Sequence, residues 1–498
     1  MSSSRSNHQP AGRTGRSRTP PRTVVVRSRT RSRYRPTTGA VVARGVASPA
    51  GAPRGTVARP RRVVVRPPAG GGAAPVDVCR TTKGGARRGA PGTLVPVRIT
   101  SALVDPALLD LPWSTPLEQW PARHLVALPQ GISRHIVRFV RLGDYVYAVK
   151  ETGERVAERE YDLLRALERI DFPSVEAIAI VADRQADDGT PLDPVLITRH
   201  LQFSLPYRAL FSRTLRPETM GRLLDALAVL LVRMHLTGFF WGDCSLSNTL
   251  FRRDAGAFAA YLVDAETGAL HRTLSNGQRG EDLEIARVNI FGEALDLQAA
   301  GLLHESIDPE VVCEEVVQRY ERLWHEITYE QQVEREARHD IEGRIRRLND
   351  LGFDVAEVAL STVDDGRYLV RPKVVDAGYH TRRLIRLTGL DAEENQARRL
   401  LNDLDAYRVE SDLTDEQQAA HRWLTEVFEP VVRAVPAHLR HKLEPQEIFA
   451  QIIEHKWLLS ERARRDVGMG PAVQSYLADV LVHRPDEQAV LGVEVPTA

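Results

Sequence analysis

Five residues have the types and spacing to move a phosphoryl group. In the run Trp241-Gly242-Asp243-Cys244-Ser245-Leu246-Ser247-Asn248, an aspartate stands five residues before an asparagine, and Asp264 follows a strand pair further on. Transfer of the terminal phosphoryl group of ATP needs a divalent metal on the phosphate oxygens, a cation on the remaining phosphates and a carboxylate for the acceptor hydroxyl. Mg2+ prefers oxygen ligands and keeps much of its water, so one carboxylate and one amide oxygen are enough. Asp264 and Asn248 offer these. Asp243 can hold the hydroxyl and take its proton. Lys150 would hold the nucleotide phosphates, and Glu160 would fix Lys150.

The elements around these residues place them suitably. His135 to Leu142 and Tyr145 to Lys150 read as strands joined by Gly143-Asp144, so Lys150 closes a hairpin. From Glu154 to Ile170 the apolar residues follow helical spacing, and Glu160 falls on their inward stripe. A buried acid needs a partner, and Lys150 is the nearest cation that could meet it. Val175 to Val181 and Pro194 to Arg199 are strand-like. A long helix begins with Pro217 in its first turn, repeats apolar residues from Met220 to Met234, and stops at Gly238. The polar loop then runs into a hairpin turning at Asp254-Ala255-Gly256 and ending at Asp264. Asn248 and Asp264 therefore lie at the same end of two strands. Asp282 reads equally as a helix cap or as an acceptor for the backbone of the loop. His235 reads as a bracing residue and Cys244 as a small filler without a base to activate it.

Lys150, Glu160, Asp243, Asn248 and Asp264, in this order, resemble the strand lysine, helix glutamate, Asp-x4-Asn loop and metal-binding aspartate of the protein-kinase-like superfamily. The segment is more narrowly similar to the lipopolysaccharide (Kdo and heptose) kinase branch, over roughly 170 residues. Almost everything after residue 100 resembles an uncharacterised high-GC bacterial family that pairs such a region with a C-terminal domain of unknown function. The resemblance implies an α+β chain: a bilobal kinase-like fold, then a mostly helical domain with a β-hairpin. It implies ATP and Mg2+ as cofactors and a hydroxyl-bearing acceptor. Three departures stand out. The glycine-rich loop shrinks to Gly131 in Pro129-Gln130-Gly131-Ile132-Ser133, Asp264-Ala265-Glu266 replaces Asp-Phe-Gly, and Ser245 stands where protein kinases carry a lysine. These favour a sugar, glycolipid or small-molecule acceptor over a protein, and they leave open a silent module that binds nucleotide or protein. Singly, Lys150 reads as a strand-end lysine, Asn248 and Asp243 as turn residues and Asp264 as a cap. Order and spacing carry the expectation.

Composition divides the chain of 498 residues unevenly. Residues 1–100 hold 21 Lys and Arg against one acid, Asp77, so about −19 falls to the rest of a chain whose net charge is +1. Rich in Arg, Gly, Pro, Ser and Thr, with Tyr34 as the one aromatic, this tail cannot offset its ordering entropy and is expected to be disordered. It reads as an arm for an anionic partner, nucleic acid or membrane surface, as an inert tail, or as a product of translation begun upstream of the true start. The expected kinase-like domain spans 101–305 and the C-terminal domain 306–498. In the latter, Glu310 to Leu351 is expected to be helical, Val355 to Val375 a hairpin, and Ala392 to Tyr407 and Glu416 to Val432 helical. His380, Arg382, Arg383, Arg386, Arg398 and Arg399 form a basic region that reads first as a solvated helix face and second as a phosphate site. No apolar run approaches the length of a membrane span, Leu223 to Val232 being interrupted by Asp225, and with no apolar stretch near residue 1 no signal sequence is expected. Cys79, Cys244 and Cys313 are too few for a disulfide framework or a zinc site, so a reducing cytoplasm is expected.

Overall fold

The computed structural model describes residues 23–27, 76–77, 97–102, 106–126, 128, 135–143, 145–210, 217–334, 338–350, 353–364 and 367–487. The tail expected to be disordered lies almost entirely outside these residues. Within it Thr23–Arg27 and Val76–Asp77 are strands, and its last residues enter a third, Arg98–Ser101, against the expectation of disorder. The chain is α+β. Its described residues form two compact units, one from 76–201 and one from 202–487 together with Thr23–Arg27.

The first unit is built on a six-stranded antiparallel sheet. Strands β1 (Arg98–Ser101), β2 (Val137–Leu142), β3 (Tyr145–Glu151), β4 (Glu176–Ala182) and β5 (Val195–Arg199) lie in the order β1-β4-β5-β3-β2, with Val76–Asp77 beside β1. Helix α1 (Glu154–Glu168) packs Ala157 against Ile180 and Leu196. On a second cluster Leu108, Leu111, Trp113, Leu117 and Trp120 are buried with Val140, Tyr147, Val149, Ile178 and Ile197. These five belong to a strap of short 3-10 turns between residues 106 and 124. Its anchor is Arg184, 1% exposed. The guanidinium donates to the Trp113 and Thr115 carbonyls at 3.2 and 2.8 Å, to the Asp193 carbonyl at 2.7 Å and to Glu151 Oε1 at 2.8 Å. Glu151 Oε1 also accepts the Leu117 amide at 3.2 Å.

The second unit begins with β6 (Ser204–Pro206) and helix α2 (Pro217–Thr237). The apolar repeat of α2 is buried along its length, Met220, Leu223, Leu224, Leu227, Leu230, Leu231 and Met234 all at 5% exposure or less. Such burial contributes on the order of 2 kcal/mol per side chain. Strand β7 (Phe239–Phe240) pairs with β10 (Ala269–Leu270), and the hairpin β8 (Thr249–Asp254) and β9 (Ala257–Leu262) has β6 along its edge. Helices α3 (Asn276–Ala299) and α4 (Pro309–Thr328) follow.

The stretch expected to be helical from Glu310 to Leu351 is interrupted. Tyr329 leaves α4 in an extended conformation, and β11 (Gln331–Glu334) pairs with the second strand of a long hairpin before α5 (Arg338–Asp350) starts. Strand pairing outweighs local propensity here. The hairpin, β12 (Phe353–Asp364) and β13 (Arg367–Ala377), falls where expected and also takes Thr23–Arg27 along β12. Beyond it lie α6 (Tyr379–Thr388), α7 (Glu394–Glu410), α8 (Glu416–Trp423), α9 (Glu429–Ala434), α10 (Pro445–Ala463) and α11 (Met469–Asp479). A turn of π-helix, Leu424–Phe428, joins α8 to α9. The basic residues of α6 and α7 largely face acids: His380 meets Glu394 at 2.6 Å, Arg383 meets Glu416 at 2.8 Å and Arg399 meets Glu454 at 2.7 Å. Among the described residues no helix is long and apolar enough to cross a membrane.

Arg184→Ala should cost about 3 kcal/mol, because Glu151, two strap carbonyls and the Asp193 carbonyl lose their buried donor. Equilibrium denaturation in urea checks this, and an unchanged midpoint would show that the strap is held by its tryptophans alone.

Candidate active site

In the first unit Lys150 and Glu160 meet as the helical stripe requires. Lys150 Nζ lies 2.8 Å from Glu160 Oε2, with the lysine side chain 13% exposed and the glutamate 2%. Consecutive residues of a strand face opposite ways. Lys150 thus turns to α1 while Glu151 turns to Arg184 and the strap, so both faces fix the end of β3. Gly131 lies outside the described residues.

In the second unit the chain leaves α2 through Gly238, at φ +83°, where a Cβ would stand 2.2 Å from the His271 carbonyl oxygen. No side chain fits, and the loop begins its turn there. Asp243 is then held from both sides. Its Oδ2 accepts from Asn248 Nδ2 at 3.1 Å and its Oδ1 from Asn289 Nδ2 at 3.0 Å. Asn248 Nδ2 also reaches the Asp243 carbonyl at 3.1 Å, and Asn289 the Cys244 carbonyl at 3.2 Å. The amide nitrogen of Asn248 is thus engaged, and its Oδ1 is the atom of the side chain that can act as an acceptor. The Val263 amide donates to the Asn248 carbonyl at 3.0 Å, which sets Asn248 beside the residue before Asp264. Asp264 Oδ1 accepts the Glu266 amide at 3.0 Å, and its carbonyl accepts Trp241 Nε1 at 2.8 Å. A carboxylate and an amide oxygen at one strand end form a hard-ligand pair suited to Mg2+.

Helix α3 supplies the support. Its N-cap is Ser275, in a reciprocal pair with Gln278, so Asp282 is no cap. Instead Asp282, fully buried, accepts the amides of Trp241 and Gly242 at 2.9 and 2.8 Å. His235 Nε2 stands 3.1 Å from the same carboxylate, and His235 Nδ1 stands 2.7 Å from the Tyr320 hydroxyl of α4. Glu293 accepts the amides of Leu246 and Ser247 at 2.6 and 2.9 Å, and burial raises its carboxyl above the usual range. Asn289 and Glu293 escaped the sequence reading. The signal for them was present: at seven and eleven residues past Asp282 they share its face of the helix, a polar stripe beside buried Ala286, Ile290 and Ala294.

Residues 142–287 match the family model of the lipopolysaccharide kinases (Kdo/WaaP). That segment is kinase-like, and it contains Lys150, Glu160, Asp243, Asn248 and Asp264. Residues 322–481 match a domain of unknown function, DUF4032. No curated protein sequence matches the chain. Among solved structures, WaaP in complex with acyl carrier protein aligns with 51% of this chain and 99% of its own at 16% identity, with a TM-score of 0.31.

Burial beside Asp282, Glu293 and Asp243 raises the Cys244 thiol well above its ordinary range, so it stays protonated and unreactive at neutral pH. Alkylation with iodoacetamide at pH 8 should leave Cys244 unmodified in the folded protein and modify it fully in urea, read by peptide mass mapping. Rapid native labelling would mean that the loop opens.

Proposed function

We propose that the chain is an ATP- and Mg2+-dependent phosphotransferase acting on a hydroxyl, of a sugar, glycolipid or small molecule in preference to a protein. The observation that carries this reading is the double grip on Asp243 by Asn248 and Asn289, with the Asn248 backbone bonded to Val263, the residue before Asp264. The kinase family match of residues 142–287 supports it. In this reading Lys150, fixed by Glu160, binds the nucleotide phosphates. Gly131, in the shortened phosphate loop, contributes a backbone amide to them. Asn248 and Asp264 hold Mg2+, which when bound neutralises charge on the transferring group. The two amide donors point the Asp243 carboxylate, ready to accept the proton of the acceptor hydroxyl. Residues 101–305 then form the catalytic domain and 306–498 the C-terminal domain, and the basic tail is an arm for an anionic partner.

A thermal shift on the chain from Ile99 onward separates this from a silent module. Millimolar ATP with Mg2+ should raise Tm by roughly 3–8 °C, an effect of saturating a site well above its Kd. Asp264→Ala should abolish the metal-dependent part. Asp243→Ala should keep the shift and lose about 100-fold or more of the turnover. No shift in the unsubstituted protein would sink the reading.

A further inference from the structure

The turn end of the β8–β9 hairpin is gripped by the C-terminal helices through an unbroken run of residues. Arg252 pairs with Glu393 at 2.9 Å and with Glu444, and Arg253 pairs with Glu487 at 2.7 Å. Asp254 accepts three bonds: from the Gln396 amide at 2.7 Å, the Asn395 amide at 3.1 Å and Asn395 Nδ2 at 2.8 Å. Gln396 Nε2 donates to the Arg253 carbonyl and to Glu447, both at 2.9 Å, and Glu447 accepts the Ala255 amide at 2.7 Å. Burial pushes both Asp254 and Glu444 up to about 7, a mark of how far this turn is removed from water.

Ala255 strengthens the case. It sits at φ +50°, a left-handed conformation that disfavours any Cβ, with Gly256 at φ +88° beside it. Its methyl group is nonetheless buried in the same apolar cluster as Leu384, Leu400, Trp423 and Phe449 of the C-terminal helices. A strained residue persists only where its surroundings over-determine it. The surroundings here come from residues 384–487.

We infer that the C-terminal domain is a built-in clamp on the catalytic hairpin, gripping its turn so that its open end holds Asn248 and Asp264 in register. The domain therefore acts in cis on the kinase-like segment, as a positioning element. The mechanical part of this inference stands on the contacts alone, and its functional part rests on the reading of Asn248 and Asp264 as metal ligands.

The test uses the full chain with Arg253→Glu, the exchange pair Arg253→Glu with Glu487→Arg, and Gln396→Ala in case the first variant folds poorly. Amide hydrogen exchange should accelerate roughly tenfold across residues 241–264 in the single variants, with the rest of the unit unchanged, and return to normal in the exchange pair. Affinity for a fluorescent ATP analogue should fall about tenfold with Mg2+ present and stay unchanged with EDTA, because Lys150 and Glu160 belong to the other unit. Unaltered exchange at residues 241–264 overturns the clamp, as does a uniform rise across residues 202–487, which would mean general destabilisation. If the unsubstituted protein binds no nucleotide, the phosphotransferase reading fails, while hydrogen exchange still decides the clamp.

Discussion

One buried carboxylate organises the second unit. Asp282 can accept from the amides of Trp241 and Gly242 only if the loop turns where it does, and it holds His235 at the same time. A buried charge without such donors would cost several kcal/mol. Around it the dependence spreads in both directions: to Asn289 and Glu293 further along α3, which hold the Asp243 carboxylate and the amides of Leu246 and Ser247, and through His235 to Tyr320 of α4. Arg279 lies 4.0 Å over the ring of Trp324, which stacks on Tyr320. The loop is thus supported by helices whose polar residues hydrogen-bond its backbone.

Where a pattern repeats locally, the sequence was readable. The turn at Gly143-Asp144 marked β2 and β3, a 3.6-residue repeat marked α1 and α2, and Gly238 marked the stop that its positive φ requires. The Lys150–Glu160 pair was legible because an acid on an apolar stripe is an anomaly that demands a partner. The strap of residues 106–124 was not legible, since its 3-10 turns have no long period and its anchor is a single arginine 71 residues from Trp113. Nor was the break after α4, where pairing with a strand more than thirty residues further on decides the outcome. Asn289 and Glu293 were overlooked for a different reason. Polar residues inside a helix usually face water, and only the fold shows that this face meets a loop.

The same limit applies to the hairpin turn. Asp254-Ala255-Gly256 announced a turn correctly, yet nothing local distinguishes a turn in water from one enclosed by Glu447, Gln396 and Glu487. Long-range polar contacts leave no periodic trace. The basic region of α6 and α7 makes the converse point: read from sequence alone it is first a solvated helix face and second a phosphate site, and His380, Arg383 and Arg399 turn out to have acids of the same domain for partners.

The distance between Ala255 and Glu447, 192 residues along the chain, also has a consequence for biosynthesis. A ribosome adding 5–20 residues per second needs roughly 10–40 s to pass from one to the other. During that time the loop, its asparagines and the hairpin all exist as nascent chain, with Arg252, Arg253 and Asp254 still lacking their partners. The kinase-like segment therefore finishes maturing only after nearly the whole polypeptide has been made, and a stalled or prematurely ended chain carries the hairpin turn in an unsecured state.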